Sequence, residues 1–365
     1  MPNKKKAGIL TFHRALNYGA VLQAYALEKT LKSIGFDACV IDYRQWSIEG
    51  LHFWRWMLKV KHLIHLVLRL KPWRYFTELH AIAHNAPIFN GFVKRNLTVS
   101  AKCFRKNGIP QDIDLYVIGS DQLWNRKITS NKFDDVYMGA FPHPSSSKII
   151  TYAVSADVNS ISDGAECLSE KINGISEVSI RESSLAKIFQ ERTGLVVRQD
   201  VDPTLLAERS VWMPLLNNKF KNKDYVLVYE VRSKQGFQTK IMDLANRIAN
   251  DNGWEVIRIT QKFHESKMCA VEDFVSLFND ARFVLTSSFH GTAFSLIFHK
   301  PFYAYSLNDG SDARYVDVLK ALGLSSRLKP IEDDVVDLSP VDYTEADQRW
   351  NELRKQSLDY LRKYL

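Results

Sequence analysis

The run Phe283-Val284-Leu285-Thr286-Ser287-Ser288-Phe289-His290-Gly291-Thr292-Ala293-Phe294-Ser295-Leu296-Ile297-Phe298 sets a histidine where acid–base chemistry could be done. An apolar, β-rich segment, Phe283 to Thr286, is followed by two serines, an aromatic residue, His290 and Gly291. An amphipathic stretch then closes at His299-Lys300-Pro301. The pattern predicts a buried strand, a tight turn and a helix opening beside His290. The carboxyl end of a parallel strand is where open α/β sheets bind ligands. A helix start there offers N–H groups and partial positive charge to a phosphate or carboxylate. Histidine adds the side chain whose ordinary pKa lies nearest neutrality; the plainer reading is a structural histidine.

Two other charged residues fall at predicted strand ends. Asp121 follows Leu115 to Ile118 within Gly119-Ser120-Asp121-Gln122-Leu123-Trp124-Asn125, and either caps a following helix or faces a ligand. Arg181 ends the strand Val178 to Arg181, placed to hold an oxyanion or to pair with Glu182 or a neighbour. Asp200-Val201-Asp202 has the form of a metal-binding DxD, but Pro203-Thr204 directly after it favours a structural turn.

These residues need a scaffold of alternating strands and helices. Ala7 to Phe12 reads as a strand, the loop His13 to Gly19 follows, then a helix from about Ala20 to Ser33 ended by Gly35, and a strand Asp37 to Tyr43. That is a βαβ unit and implies a parallel sheet. Its first loop lacks the G-x-G-x-x-G dinucleotide fingerprint. After residues 46–110 the alternation resumes, with strands at Leu115, Ile149 and Val178, a helix to about Arg192, and a strand Val196 to Pro203. A lysine-rich stretch, Lys219 to Asp224, precedes a second series. Its strands are Tyr225 to Val231, Glu255 to Thr260, Phe283 to Thr286 and Pro301 to Ser306, with helices at Gln235 to Asn252, Val271 to Ala281 and Ser311 to Leu322. The expected fold class is α/β, two Rossmann-like domains facing across a cleft, as in the glycosyltransferase-B architecture. Residues 1–210 form the N-terminal domain on the acceptor side, with a basic amphipathic insert at 46–110. Residues 225–330 form the C-terminal domain on the donor side. A closing helix in 340–365 is expected to return to the first domain.

Composition sets the wider bounds. At 365 residues the chain exceeds one comfortable core. A formal charge of +8 favours anionic partners. Cys39, Cys103, Cys167 and Cys269 are scattered, with no C-x-x-C and no histidine cluster at metal spacing, as in a reducing compartment. Lys4-Lys5-Lys6 precede only a short apolar run, so no secretory signal is read and a cytoplasmic location is expected. Between His52 and Arg69 the polar positions His52, Arg55, Lys59, His62, His65 and Arg69 share one helical arc opposite an aromatic and aliphatic face. A basic stripe of this kind suits the inner-membrane interface, and its charges argue against a spanning helix. A helix packed on the domain is the other reading.

The chain resembles the polysaccharide pyruvyl transferase family. The resemblance rests on Thr11-Phe12-His13 with Asn17-Tyr18-Gly19-Ala20 and Leu22-Gln23-Ala24, on Gly119 to Asn125, on Ser179-Ile180-Arg181-Glu182, on Asp202-Pro203-Thr204, on Ser288-Phe289-His290-Gly291 and on Arg314. It implies transfer from phosphoenolpyruvate, a co-substrate, to two hydroxyls of a sugar in a bacterial surface polysaccharide repeat unit, giving a pyruvate ketal and phosphate. It requires no metal or other cofactor. His290 is similar to the family's active-site histidine, Asp121 to a catalytic acid or acceptor-orienting carboxylate, and Arg181 to an anion-holding arginine. Arg314, Ser288, Gly291, Lys300, His13, Asn17, Tyr18 and Gly19 are implied as substrate-binding. Members commonly carry arginine two residues before the histidine, where this chain has Ser288, so Arg314 or Lys300 would take over as anchor in this Ser-Phe-His-Gly branch. Such repeat units are carried on polyprenyl diphosphate, which would place the acceptor at the inner membrane surface.

Two other functions fit the residues less closely. A nucleotide-sugar-dependent glycosyltransferase would use the same scaffold with a nucleotide in the second domain. A non-catalytic anion-binding or nucleic-acid-binding protein is permitted by the charge, but no nucleic-acid module is visible and no nucleic-acid partner is expected.

Overall fold

In the computed structural model the described residues are 4–45, 72–129, 131–162, 165–231, 236–260, 268–307 and 312–365. The basic stripe from His52 to Arg69 lies outside them. Among the described residues no helix is long and apolar enough to cross a membrane. The chain divides into two compact units: the first runs to Pro203 and takes the last residues, Leu361–Leu365; the second runs from Thr204 to Tyr360.

The first unit is built on a six-stranded sheet in the order β2-β1-β3-β4-β5-β6. Its strands are β1 (Lys6–Leu10), β2 (Asp37–Val40), β3 (Leu115–Asp121), β4 (Lys148–Val154), β5 (Val178–Ile180) and β6 (Val197–Gln199). Neighbouring strands pair in parallel throughout. β3 and β4 are buried along all but one end residue each, as parallel strands covered on both faces are. Helix α1 (Tyr18–Ile34) follows β1, and Asn17 caps it by accepting from Ala20 N at 3.1 Å. This helix is buried almost all round because α2 (Pro72–Asn96) crosses it, with Tyr18 against Phe89 and Tyr25 against Phe92, ring centroids 5.3 and 5.9 Å apart. Aromatic pairs of this kind add about 1 kcal/mol each beyond area burial. Helix α3 (Ser183–Thr193) follows β5 and buries Leu185 and Phe189.

The second unit is built on a five-stranded sheet in the order β11-β10-β9-β7-β8. Its strands are β7 (Tyr225–Glu230), β8 (Glu255–Thr260), β9 (Phe283–Thr286), β10 (Phe302–Ser306) and β11 (Leu328–Pro330), again parallel. Helix α4 (Phe237–Asn252) buries Phe237, Ile241, Leu244, Ala245, Ile248 and Ala249, one stripe at helical spacing, against β7 and β9. The remaining helices are α5 (Val271–Asp280), α6 (Phe289–Ile297), α7 (Ala313–Ala321) and α8 (Thr344–Arg362). The residues just after Pro203 join this unit, ahead of the lysine-rich stretch that marked the boundary in the sequence. Trp212 packs edge-on against Phe294 at 5.0 Å, and Leu205 O and Leu206 O accept from Trp350 Nε1 and Arg354 Nε at 2.7 and 3.0 Å. Those contacts are long-range and leave no trace in local composition.

The α/β fold class of two Rossmann-like domains therefore holds. Each sheet also has the same winding. The second strand of each unit lies on one side of the first, and the third strand on the other. The strand order thus reverses between β1 and β3, and again between β7 and β9. Open α/β sheets receive ligands at the carboxyl ends of strands beside such a reversal.

Candidate active site

In the second unit the reversal point is occupied by the Ser-Phe-His-Gly turn. Ser287 N donates to Tyr229 O at 3.4 Å, and Thr286 Oγ1 donates to the same carbonyl at 2.8 Å while accepting from Ser288 N at 3.1 Å. The side chain of Thr286 thus locks the end of β9 to the end of β7 and fixes the angle at which α6 leaves. Ser288 is the N-cap residue, but its hydroxyl makes no cap bond and meets the buried Tyr229 hydroxyl instead. Burial pushes that phenol far up. The backbone of Ser288 accepts from Thr292 N at 3.0 Å, which starts the helix.

Gly291 is required by contact. A Cβ there would lie 2.0 Å from Thr286 Oγ1 and 2.9 Å from Tyr229 Cδ1. Only glycine lets the first turn of α6 approach the strand so closely. His290, one residue earlier, is 8% exposed and lies edge-on to Phe289, ring centroids 5.0 Å apart. First-turn N–H groups of an α-helix have no acceptor within the helix, so this corner favours an anion. Arg314 is half-buried in the first turn of α7, which follows β10 at the same edge of the sheet. A cation at a helix start opposes the helix dipole, which favours an anion beside it.

Lys300 departs from expectation. It lies beyond the far end of α6, close to Asp280, Arg209 and Arg282, where burial lowers its pKa. Nine residues of helix span about 13 Å, so Lys300 belongs to the amino edge of the sheet and cannot replace an anchor beside His290. Of the two substitutes expected for the missing arginine, only Arg314 is at the right edge.

In the first unit the carboxyl ends of β3 to β6 carry a buried polar network. Arg181 is 5% exposed; its Nε donates to Glu182 Oε1 at 3.1 Å and its Nη1 to Asp202 Oδ2 at 2.5 Å. Burial would lower its pKa, but Glu182, Asp202 and Asp121 outweigh that and hold it charged. The geometry is that of the ion-pair reading of Arg181. Ser155 Oγ donates to Glu182 Oε1 at 2.7 Å, and Ser179 Oγ to Asp200 Oδ2 at 2.6 Å. Asp200 also takes Arg198 Nε at 2.6 Å. Both aspartates of the DxD are thus engaged by protein cations, and among the described residues no group of three or more His, Cys, Asp or Glu could hold a metal ion.

Asp121 ends β3 with φ of 81°, a conformation side chains rarely adopt outside functional or tightly determined sites. No helix starts directly after it. Its carboxylate accepts from Gln122 N at 2.8 Å and is half-buried, so the helix-cap expectation fails and a partly accessible carboxylate remains. At the reversal between β1 and β3, Gln23 bridges the strands: its Nε2 donates to Thr11 Oγ1 at 2.7 Å and its Oε1 accepts from Ser120 N at 3.2 Å. Asn17, Tyr18 and Gly19 open α1 beside this bridge.

His13, expected among the substrate-binding residues, is wholly buried. Its Nε2 meets Asp42 Oδ1 at 3.0 Å and its Nδ1 meets Thr11 O at 3.1 Å. It is turned to Asp42 and exposes no surface of its own. Asp42, Gln23 and Thr286 were not singled out in the sequence because their deciding partners lie far along the chain; Glu182 was named there only as a partner of Arg181.

No curated protein matches the chain. Solved structures with similar chain traces include S. aureus MnaA with UDP, 10% identical, TM-score 0.46, covering 97% of this chain and 91% of that one. A second is the Methanocaldococcus jannaschii UDP-GlcNAc 2-epimerase in complex with UDP-GlcNAc and UDP, 10% identical, TM-score 0.46, covering 95% and 98%. A third is the E. coli heptosyltransferase WaaC with ADP, 10% identical, TM-score 0.36, covering 95% and 99%. The family model for polysaccharide pyruvyl transferase matches residues 17–309, a span that takes in Asn17, Asp121, Arg181 and the whole Ser288 to Gly291 turn. With most of its length matched, the chain belongs to the polysaccharide pyruvyl transferase family.

Proposed function

We propose that the protein transfers the enolpyruvyl carbon skeleton of phosphoenolpyruvate to two hydroxyls of one sugar in a surface polysaccharide repeat unit, forming a cyclic pyruvate ketal. The observation that carries this reading is the family match across the residues at both strand-order reversals. In the reaction the methylene carbon gains a proton and becomes a methyl. Two C–O bonds form to the acceptor oxygens, and the C–O bond to phosphate breaks. Of the two hydroxyl protons, one balances the methyl and the other leaves with phosphate.

Each demand has a candidate in this chain. The donor's phosphate and carboxylate call for N–H groups and a guanidinium, supplied by the first turn of α6 and by Arg314. His290 suits the proton transfers, since its unperturbed pKa lies near the working pH. Asp121, half-buried at a strand end, suits removal of an acceptor proton. Arg181, bonded to Glu182 and Asp202, is assigned to holding the strand ends together rather than to contact with the donor. The acceptor is taken to be polyprenyl-diphosphate-linked and the enzyme peripheral on the inner membrane. Flotation with anionic vesicles tests that part: absence of binding by the full chain removes it.

The test of the reaction is incubation with labelled phosphoenolpyruvate and a panel of lipid-linked or nitrophenyl sugars, read by mass spectrometry. A ketal product with release of phosphate supports the proposal. Binding of UDP- or GDP-sugars without any effect of phosphoenolpyruvate would favour a glycosyltransferase instead.

A further inference from the structure

We infer that the second unit holds a pocket for an uncharged organic molecule, a ring-sized apolar body with a hydrogen-bond acceptor, and that the Tyr305 hydroxyl recognises that acceptor. Side chains alternate between the two faces along β10. Tyr303 and Tyr305 therefore join Val226, Val228, Phe283 and Leu285 on the face covered by α4. Tyr229 and Thr286, which meet α6 at Gly291, belong to the other face. The pocket and the helix carrying His290 thus lie on opposite sides of the sheet.

On the pocket's face, α4 covers the middle of the sheet. The chain after β11 comes back over Tyr303, whose hydroxyl accepts from Asp337 N at 3.4 Å. These two coverings do not close on each other. Between them is a cavity of about 360 Å³, walled by Phe237, Ile241 and Leu244 of α4, by Ile331 and by Tyr305. That volume is at the small end of the roughly 300–1,000 Å³ of ligand pockets. Arg247 spans the gap at the rim, its Nη1 donating to Asp334 Oδ2 at 3.1 Å and its Nη2 to Asp334 O at 2.6 Å.

Tyr305 is 2% exposed, and its hydroxyl neither donates nor accepts a hydrogen bond. Native structures rarely leave a buried hydroxyl so. The residue is fixed in place: Tyr305 O accepts from the Tyr315 hydroxyl at 2.9 Å, and its ring lies against Phe237, centroids 6.3 Å apart. The charged groups that act on the hydroxyl are Asp333, Asp334 and Arg247, all of which also line the cavity, so the hydroxyl is on the cavity side. Burial, Asp333 and Asp334 hold its proton in place, which makes it a donor that an acceptor on the ligand would satisfy. The ligand itself must be uncharged. Asp334 is taken by Arg247, and Asp333 Oδ2 accepts from Lys329 Nζ at 3.1 Å. The remaining walls are apolar, where an ion would lose its hydration without gaining a counter-charge.

Neither the site nor its test depends on the transferase reading. The probes are acetophenone, α-methylstyrene, in which a methylene replaces the carbonyl oxygen, and benzoate. Each is titrated into the full chain, wild type and Tyr305→Phe, and followed by ligand-observed nuclear magnetic resonance. The ratio of ketone affinity to styrene affinity should fall about five-fold in Tyr305→Phe, the effect of one neutral hydrogen bond. Benzoate should fail to displace acetophenone even at about ten-fold excess. Ile331→Trp, which fills the cavity from its half-buried wall, should weaken acetophenone several-fold. Without any probe, the urea midpoint of Tyr305→Phe should equal or exceed that of the wild type, since the variant sheds a buried hydroxyl that has no partner. A lower midpoint would mean that water already satisfies the hydroxyl, and would overturn the inference. So would wild-type protein that does not bind acetophenone, an affinity ratio unchanged by Tyr305→Phe, displacement by benzoate, or binding untouched by Ile331→Trp.

Discussion

Replacing Gly291 by alanine tests the geometry that places His290. The new Cβ would sit 2.0 Å from Thr286 Oγ1 and 2.8 Å from Thr286 Cβ. Ordinary contacts between such atoms are about 3.5 Å, so the first turn of α6 must retreat by more than about 1 Å or Thr286 must turn away. Overpacking of this kind costs about 1–3 kcal/mol, against which alanine returns about 1 kcal/mol of helix propensity over glycine. Thr286→Ala alone should cost about 2 kcal/mol, since two buried hydrogen bonds, to Tyr229 O and from Ser288 N, lose their shared partner. It also removes the nearer colliding atom, Oγ1, and leaves only the milder approach to Cβ at 2.8 Å. The double variant Gly291→Ala with Thr286→Ala should therefore be more stable than the sum of the single effects by about 1 kcal/mol or more. Urea denaturation followed by far-ultraviolet circular dichroism measures all four corners of the cycle. Additivity within about 0.5 kcal/mol, or an alanine at 291 as stable as the wild type, would refute the packing of α6 on β9.

Three further outcomes follow from the same structure. Asp202→Asn should lower stability by about 3 kcal/mol, because Arg181 keeps its buried charge and loses one of two carboxylates; equal urea midpoints would contradict this. Burial would raise the Asp42 carboxyl, but the hydrogen bonds and charges of His13 and Arg14 outweigh it and hold it well below the ordinary 3.8. A depressed folded value gives stabilisation present above 3.8 and lost as pH falls through the folded value. Asp42→Asn should accordingly trail the wild type at neutral pH, with the gap closing in acid; a gap that widens in acid would reverse the assignment. Burial, with Asp42 nearby, pushes the Cys103 thiol up to about 11. Cys103 should stay unreactive toward a disulfide reagent at pH 8 until urea is added, and prompt labelling of the native protein would show that the site is open.

Local pattern was enough to read most strands and helices, because buried parallel strands are nearly continuous apolar runs and α4 and α5 carry one apolar stripe each. Three features escaped it. β11 is three residues long and contains Lys329 and Pro330, so no periodicity announces it. β3 runs on through Gly119 and Ser120 to Asp121, where side-chain hydroxyls replace the regular ladder: Ser120 Oγ donates to Ala153 O at 2.6 Å, and Ser179 Oγ accepts from Ala153 N at 2.9 Å. Residues 204–210 read as the end of the first domain and Lys219 to Asp224 as a linker, but both belong to the second unit, into which the segment packs through Trp212 and Asn217, whose Nδ2 donates to Asp273 at 2.8 Å.

The site shows the same division. The turn around His290 was legible because strand, glycine and helix are consecutive, and the need for glycine follows from Thr286 five residues earlier. Lys300 misled because nearness along the chain was taken for nearness in space, although a helix separates it from His290. Arg181 and His13 could not be weighed from sequence. Whether a charged group reaches a ligand or a buried partner depends on Asp202 and Asp42, which sit 21 and 29 residues away.

Phosphate release and ketal mass, followed together in one reaction for the wild type and for His290→Ala checked to be folded, bear on the proposed ketal transfer with His290 in the reacting site. The wild type should release one phosphate per ketal formed, and the variant should give neither product. Undiminished turnover by His290→Ala, or phosphate release that yields no ketal on any sugar offered, would overturn the proposal.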